Sequence, residues 1–379
     1  MKVTILKEKL KQGISVIEKV SVKSITLPIL NNILLSVEKN FLNLIATDLE
    51  VGIKWWSLAK TEKTGKIALP AKIISNFINF LPNKPINLEL KDSDLKIECQ
   101  NYKTLIKGIN PDDFPIIPKM SQEDKIEVPI NYFCKSLSSV VDVASLSSTK
   151  PEISGIYFIF EKDLITLTAT DSFRLGEKKV KLSKPIKNPY SFILPQKTAK
   201  EIINIFSEKE GNLIIYFSPN QIMFETYLPE TDHPEIQLTS KLIEGEYPNY
   251  QEIIPKKHDT RISFSLDDFI NQIKLASLFS GKINEIKLKI NPAKNRIDFF
   301  SQNPDLGEYQ SFLNVKTEGK PCEISFNYRF LLDGLLNLSS LNQKKSEAIF
   351  ELTGLEKPGV LKLKNESSYI YLVMPIKSN

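Results

Sequence analysis

Ile165–Asp171 (ITLTATD) nearly repeats an earlier stretch, Leu42–Asp48 (LNLIATD), and a degenerate third copy follows at Ile297–Asp305 (IDFFSQNPD). Each copy is an apolar, β-branched run ending in small, polar and acidic residues, which is typical of a strand followed by a tight turn. The copies recur at a period of about 125 to 130 residues, too long for a stacked solenoid repeat. This recurrence predicts three copies of one domain.

A second phrase keeps nearly the same period. Leu69–Lys72 (LPAK), Leu194–Lys197 (LPQK) and Phe326–Arg329 (FNYR) each precede an apolar pattern with helical spacing. Two independent phrases at one period support the repeat, and at 379 residues each copy is large enough to bury its own core. We therefore place the domains at residues 1–120, 125–254 and 257–379.

Each repeat also opens with a helical pattern. Apolar residues three and four apart predict helices over Lys7–Val20, Pro129–Leu146 and Leu266–Ser280, and Ser265 is a candidate N-cap for the third. Short alternating strands follow, such as Gly155–Phe160. The predicted fold class is α+β, with two helices packed on an antiparallel sheet in each repeat.

The last apolar stretch, Tyr369–Ile376 (YIYLVMPI), predicts a final strand. Because proline has no N–H to donate to a neighbouring strand, Pro375 predicts that the last residues leave the sheet.

Composition narrows the class of protein. Hydrophobic residues make up 41% and charged residues 25%, as in ordinary soluble domains. The beginning, MKVTILKEKLKQG, lacks the apolar core of a signal peptide, so we expect a cytoplasmic protein. The net charge of +5, from 50 basic and 45 acidic residues, is mild for a nucleic-acid binder, so any role on DNA depends on where those charges lie.

The sequence offers no catalytic constellation. Its two histidines, His233 and His258, lie in polar loops, and the three cysteines lack metal-ligand spacing. Thr47–Asp48 and Thr170–Asp171 are better explained as turn formers than as a carboxylate pair. Glycine-rich phosphate loops are also missing. We expect no enzyme, metal or cofactor, and a binding or scaffolding role instead.

Basic residues recur where the second helix of each repeat is predicted to begin. Lys72, Lys197 and Arg329, here called the helix-start basic residues, occupy this place. A solvated surface is one explanation, and contact with DNA phosphates is the other, since helix N-termini also favour anions. Lys23 and Lys150, in turn-like segments after the opening helices, could extend the same surface.

Several motifs together resemble the bacterial DNA polymerase III beta subunit, the family of processivity sliding clamps. They span nearly the whole chain in the family's order, and they are Thr26–Leu35 (TLPILNNILL), Ala46–Leu49 (ATDL), Leu69–Lys72, Ala169–Leu175 (ATDSFRL), Tyr247–Pro255 (YPNYQEIIP), Phe326–Arg329 and Val373–Ile376 (VMPI).

The resemblance implies a homodimer of three-domain clamp subunits, joined head to tail into a ring of six similar domains around duplex DNA. Closed heterologous contacts generate such rings. Domain one would meet domain three of the partner, with Ile106 facing Leu278 and Phe279. As an alternative, Leu278 and Phe279 belong to the internal core of their own helix.

The resemblance also implies a pocket for short peptides from the DNA polymerase III catalytic subunit, the clamp loader and other proteins with a clamp-binding motif. An apolar pocket with a polar rim suits extended peptides that carry hydrophobic anchors. Carried over by motif, its residues are Ile153, Thr170, Ser172, Phe173, Arg174, Leu175, Pro248, Ile253, Pro358, Leu372, Val373, Met374, Pro375 and Ile376.

Some positions depart from the family pattern. Phe173 replaces a common histidine, Glu252 stands where a basic residue is frequent, and Ser24 stands where an arginine often contacts DNA. The function that the sequence predicts is a nonenzymatic DNA polymerase processivity factor. A clamp-fold scaffold with altered DNA binding and a nucleic-acid-processing enzyme are the alternatives.

Overall fold

The computed structural model describes residues 1–21, 27–118, 120, 125–147, 149–186, 188–229, 231–341 and 347–377. The chain divides into two compact units. Unit 1 comprises Met1–Asn131 and Glu201–Leu242, and unit 2 comprises Tyr132–Lys200 and Ile243–Asn379. The middle repeat thus contributes to both units.

The helices follow the predicted repeat, two to each copy. They are α1 (Lys7–Ile17), α2 (Ala71–Phe80), α3 (Ile130–Val141), α4 (Gln196–Phe206), α5 (Leu266–Ser277) and α6 (Tyr328–Leu341). The three opening helices α1, α3 and α5 end earlier than the apolar pattern predicts. Ser265 does occupy the N-cap position of α5, but its side chain makes no capping hydrogen bond.

Unit 1 contains two antiparallel sheets. The strands of the first are β1 (Lys2–Leu6), β5 (Lys60–Lys63), β7 (Pro85–Lys91), β8 (Asp94–Cys99) and β9 (Tyr102–Lys107), in the order β5-β1-β7-β8-β9. Those of the second are β2 (Asn32–Glu38), β3 (Phe41–Thr47), β4 (Val51–Leu58), β6 (Gly65–Pro70), β10 (Lys125–Pro129), β15 (Asn212–Ser218), β16 (Gln221–Tyr227) and β17 (Pro234–Lys241), in the order β10-β15-β16-β17-β4-β3-β2-β6.

Unit 2 also contains two antiparallel sheets. The larger is built from β11 (Gly155–Glu161), β12 (Leu164–Thr170), β13 (Arg174–Lys181), β14 (Tyr190–Pro195), β18 (Thr260–Ser265), β22 (Lys316–Gly319), β24 (Glu347–Leu352), β25 (Gly359–Leu363) and β26 (Glu366–Val373), in the order β14-β11-β12-β13-β26-β25-β24-β18-β22. The smaller is built from β19 (Glu285–Asn291), β20 (Arg296–Asn303), β21 (Gly307–Asn314) and β23 (Cys322–Asn327), in the order β21-β20-β19-β23.

The large sheet of each unit continues from one repeat into the next. In unit 1, β17 of the middle repeat pairs with β4 of the first, with Leu238 opposite Ile53. In unit 2, β13 of the middle repeat pairs with β26 of the third, with Leu175 opposite Leu372. The sequence predicts a sheet for each domain, whereas the strands of each repeat divide between two sheets. Pairing across the repeats satisfies backbone groups that would otherwise lie at open strand edges.

The helices pack through narrow apolar faces. In α1 the buried residues are Leu10, Gly13, Ile14 and Ile17, at the spacing of one helix face. Gly13 lies so close to the ring of Trp55 in β4 that a Cβ atom there would overlap it, so the close approach of helix and sheet requires glycine. Among the described residues, no helix is long and apolar enough to cross a membrane.

Candidate functional site

The turn at Thr170–Arg174 in unit 2 joins β12 to β13 through side-chain hydrogen bonds. Thr170 Oγ1 donates to the Arg174 carbonyl oxygen at 2.7 Å and accepts from the Ser172 N–H at 3.1 Å. Asp171 Oδ1 accepts from the N–H groups of Phe173 at 2.9 Å and Arg174 at 3.0 Å. Ser172 has a φ of 78°, a strained value for a residue with a Cβ.

The first copy of the phrase, in unit 1, forms the same turn. Thr47 Oγ1 donates to the Val51 carbonyl oxygen at 2.9 Å and accepts from the Leu49 N–H at 3.0 Å. Asp48 Oδ1 accepts from the N–H groups of Glu50 and Val51, and Leu49 has a φ of 76°. Both acidic residues therefore serve the backbone, as the interpretation of these residues as turn formers predicts.

The unit 2 turn differs from its copy in what it presents. Phe173 is 61% exposed, and its ring stacks on Phe330 of α6 with centroids 6.1 Å apart. The Arg174 guanidinium lies 4.9 Å from the centroid of the same Phe330 ring, within the range of a cation–π contact. The turn thus carries an exposed aromatic ring that packs against the third repeat.

Arg174 ties three segments of unit 2 together. Its Nε donates to Asp171 Oδ2 at 2.9 Å, one terminal nitrogen donates to the Asp142 carbonyl oxygen at 2.9 Å, and the other pairs with Asp333 of α6. Burial alone would lower the pKa of Arg174, but interactions with Tyr371 and Asp171 outweigh burial and raise it. The side chain is therefore a permanently charged bridge.

The C-terminal segment runs beside this turn. β26 ends at Val373, and the Met374 N–H then donates to the Phe173 carbonyl oxygen at 2.8 Å. Pro375 forms an isolated bridge with Phe326 of β23, and the Ile376 N–H donates to the Ser325 carbonyl oxygen at 2.8 Å. The final strand therefore begins and ends three residues earlier than the sequence predicts. The tail leaves the large sheet, as Pro375 indicates, and passes to the edge of the small one.

The connector from the middle repeat to the third is anchored by two buried tyrosines. Tyr247 stacks on Tyr157 of β11, with centroids 4.7 Å apart and planes 8° apart. The Tyr250 hydroxyl donates to Glu177 Oε2 of β13 at 2.8 Å. Burial raises the pKa of both tyrosines, so both hydroxyls stay protonated at neutral pH.

The residues predicted for the pocket fall into two groups. Ile153, Thr170, Leu175, Leu372 and Val373 are buried. Ile153, Leu175 and Leu372 belong to one core cluster with the two connector tyrosines. These buried residues support the site from below and do not form its surface.

The accessible group surrounds that core. Ser172, Phe173, Pro248 and Ile253 are exposed, while Arg174, Pro358, Met374, Pro375 and Ile376 are half-buried. Pro358 precedes Gly359, which pairs with Val373. An apolar surface with adjacent polar groups can hold an extended peptide.

The sequence did not identify four residues that shape this surface. Phe330 and Asp333 lie one helical turn apart on α6, and Tyr157 and Glu177 hold the connector. Phe330 follows directly after Phe326–Arg329, a phrase that indicates the repeat, the family resemblance and a DNA contact, but no contact with the Thr170–Arg174 turn. The three-residue spacing of Phe330 and Asp333 places both side chains on one face of the helix, and this spacing is the sequence signal that they act together.

The helix-start basic residues lie where the sequence places them. α2 begins at Ala71, α4 at Gln196 and α6 at Tyr328, so each basic residue is the second of its helix, and all three are exposed. Lys150 is also exposed, whereas Lys23 lies outside the described residues. Contact of these residues with DNA stays a prediction.

The residues predicted for a subunit interface differ in exposure. Ile106 in the edge strand β9 is 5% exposed and packs inward, while its neighbour Leu105 is 56% exposed. Leu278 follows α5 and is 64% exposed, so it is not internal core. Phe279 is half-buried and stacks on Tyr309, with centroids 6.2 Å apart. An interface role for these residues stays a prediction.

Other side chains offer little for chemistry. Within the described part of the chain, no group of three His, Cys, Asp or Glu residues is arranged to hold a metal ion. His233 stacks on Phe41 with ring centroids 3.8 Å apart, and His258 lies 3.7 Å from a Glu351 carboxylate oxygen.

Known proteins resemble this chain over nearly its full length. A beta sliding clamp of Staphylococcus epidermidis is 26% identical over 363 residues, covering 93% of each chain. One from Staphylococcus aureus is 26% identical over 364 residues, again with 93% coverage. Among solved structures, the DNA polymerase sliding clamp of Bacillus subtilis superposes with a TM-score of 0.93 at 24% identity, covering 100% of both chains. The DNA polymerase III beta subunit of Thermotoga maritima has a TM-score of 0.89 at 23% identity, also with 100% coverage.

Family models account for the chain repeat by repeat. The N-terminal, central and C-terminal domains of the DNA polymerase III beta subunit match residues 1–118, 127–249 and 251–377, respectively. Neither alternative drawn from the sequence, the altered scaffold or the processing enzyme, finds support in these comparisons. With all three domains present in order, the chain belongs to the DNA polymerase III beta subunit family.

Proposed function

We propose that this chain is a DNA polymerase processivity factor, a nonenzymatic clamp that encircles duplex DNA as a head-to-tail homodimer. The observation that carries the proposal is the complete set of three beta-subunit domains, in order, on a fold that matches solved sliding clamps from end to end. A closed ring of repeated domains holds DNA by topology, so it needs neither a catalytic group nor a sequence-reading element. We place its action in the cytoplasm, with the bacterial chromosome.

The helix-start basic residues are the proposed contacts to DNA. Each is the second residue of a helix, where the positive end of the helix dipole favours anions. Such contacts attract phosphates whatever the base sequence. Lys150, and Lys23 outside the described residues, are proposed as further contacts to DNA.

The accessible residues around the Thr170–Arg174 turn are the proposed partner site. Phe173 offers an exposed ring, and Met374 and Ile376 offer half-buried apolar side chains beside it. Partner peptides of the polymerase and the clamp loader would bind here in extended form, with hydrophobic anchors against these side chains. Once the clamp is on DNA, even a weak peptide contact keeps the polymerase at high effective concentration.

The edge strand β9 is the proposed contact to domain three of the partner subunit. An edge strand has unpaired backbone groups that a second chain can satisfy. Because Ile106 packs inward, we assign it a supporting role and Leu105 the outward position, with Leu278 on the opposing domain.

Retention on circular DNA tests the clamp function. The purified protein, loaded on a nicked circle by a clamp loader, should stay bound through gel filtration and dissociate once the circle is cut. A rate of loss that cutting does not change would refute encirclement. A monomeric mass in solution would also refute it, since a monomer cannot close the ring.

Polymerase stimulation tests the partner site. Deleting Met374–Asn379, or replacing Phe173 by alanine, should abolish or strongly reduce stimulation while the dimer and its retention on circles persist. Phe80→Ala is the control, because Phe80 is also an exposed phenylalanine (88% exposed, compared with 61% for Phe173) and lies in unit 1. Unchanged stimulation in both site variants would exclude this assignment.

A further inference from the structure

The connector Tyr247–Ile253 forms one side of the proposed partner site and has few means of holding its shape. It contains only a short 3₁₀ turn, Tyr250–Ile253. Pro248 and Ile253, the residues assigned to the partner site, are exposed. Their positions therefore depend on the buried residues between and beside them.

Tyr247 and Tyr250 provide that support in different ways. Tyr247 packs flat against Tyr157, an apolar contact that tolerates sliding. Tyr250 instead uses a directional bond, from its hydroxyl to Glu177 Oε2 at 2.8 Å. Tyr250 is 4% exposed and Glu177 is 6% exposed, so water does not compete freely for either group.

Glu177 has few other partners. Lys179 lies 3.3 Å from its second carboxylate oxygen, with a lysine side chain that is 46% exposed. A buried carboxylate is costly unless it receives hydrogen bonds. The tyrosine hydroxyl therefore stabilises the carboxylate, and the carboxylate in turn fixes the tyrosine and the turn that begins with it.

We infer that Glu177 is a positioning residue for the partner site: through the Tyr250 hydroxyl it holds the connector so that Pro248 and Ile253 face a bound peptide. This inference rests on the proposed partner site. Glu177 itself does not touch the peptide. Its strand β13 begins at Arg174, beside the exposed ring of Phe173, so one strand sets both the turn side and the connector side of the site.

The chain contains a matched pair that separates positioning from general stability. In unit 1, the Tyr216 hydroxyl donates to the buried Glu225 carboxylate, also at 2.8 Å. Tyr216 is 1% exposed and Glu225 is 0% exposed. Tyr216→Phe therefore removes the same kind of bond as Tyr250→Phe, at a place that does not hold the connector.

The experiment measures the affinity of the full-length protein for the catalytic subunit of the DNA polymerase III of the same organism. Tyr250→Phe and Glu177→Leu should each weaken binding by about fivefold to tenfold, and the double variant no further, because both remove one contact. Glu177→Gln keeps an acceptor for the hydroxyl and should restore most of the affinity. Tyr216→Phe should bind like the wild type, and all variants should stay on circular DNA.

Two results would overturn the inference: wild-type affinity in Tyr250→Phe, or an equal loss in Tyr216→Phe. Tyr250→Phe removes a single oxygen atom, so it keeps the test decisive if Glu177→Leu does not fold. If the wild-type protein does not bind the polymerase subunit, the proposed partner site itself is refuted. This outcome is seen before any variant is compared.

Discussion

Replacing Arg174 by lysine tests how the turn beside Phe173 is held in place. The guanidinium uses three different nitrogens for Asp171, Asp333 and the Asp142 carbonyl oxygen. Lysine has one nitrogen and cannot reach all three acceptors. Arg174→Lys should therefore keep the charge and lose most of the bridge.

The expected loss of stabilising free energy depends on how exposed each contact of Arg174 is. The side chains of Arg174 and Asp171 are 12% and 18% exposed, so losing that charge-assisted hydrogen bond should cost about 1.5 to 3 kcal/mol. Asp333 is 49% exposed, and solvent screening keeps its contribution below about 1 kcal/mol. Allowing for one bond that lysine can still form, we expect a net loss of about 2 kcal/mol.

Native-state hydrogen exchange is the suitable assay, since it reports local opening rather than the unfolding of several domains at once. Amides of β13 and β26 should exchange about 30-fold faster in Arg174→Lys. Arg296→Lys is the control. Arg296 bonds to Asp298 at 2.7 Å and lies over Phe312, but it serves one acidic residue and is 37% exposed. The reasoning would be refuted if amide exchange in β13 and β26 speeds up in Arg174→Lys by no more than exchange near β20 speeds up in Arg296→Lys.

Three further predictions concern charge and packing. Changing the three helix-start basic residues to glutamine should make DNA affinity less sensitive to salt. The slope of the logarithm of the binding constant against the logarithm of the salt concentration should become shallower by about 0.9 for each phosphate that the protein no longer neutralises. An unchanged slope would contradict the DNA assignment. Burial alone would raise the pKa of Glu366, but interactions with Ser368 and Lys178 outweigh burial and lower it. The ionised Glu366 therefore stabilises the folded protein above the unfolded pKa of about 4.3. This stabilisation is lost as pH falls through the lower pKa of the folded protein. The melting temperature of Glu366→Gln should therefore vary less than that of the wild type between about pH 5 and 3. In Gly334→Ala, the new methyl group would overlap the ring of Tyr371, so the melting temperature should fall by an amount equivalent to about 1 to 3 kcal/mol, although alanine is the better helix former.

Local chemistry made part of the site predictable. Thr and Asp after a strand satisfy backbone groups within five residues, so the turns at Thr47 and Thr170 follow from the sequence alone. The helix starts at Ala71, Gln196 and Tyr328 likewise follow from a repeated local phrase.

Contacts between distant segments were not predictable in this way. The pairing of Leu175 with Leu372 has no local signal, because any apolar strand could fill that edge. The repeated phrase marks Arg329 but carries no signal for the next residue, Phe330, whose stacking partner Phe173 lies in another repeat. The inward-facing side chain of β9 was predictable. Because side chains alternate between the two faces of a strand, Leu105 and Ile106 in Tyr102–Lys107 must point in opposite directions.

The strand pairs that join the repeats also determine when each sheet can be completed during translation. β13 acquires its neighbour β26 only after about 200 further residues have been made, which at bacterial rates takes on the order of tens of seconds. Throughout that interval the nascent chain carries an open strand edge, a template for unwanted pairing with other chains. Once β26 has been made it closes that edge, and the Met374 N–H that follows it bonds to the Phe173 carbonyl oxygen in the proposed partner site. A chain released before β26 is made would therefore lack one side of the proposed partner site and keep an unpaired strand edge, which favours aggregation.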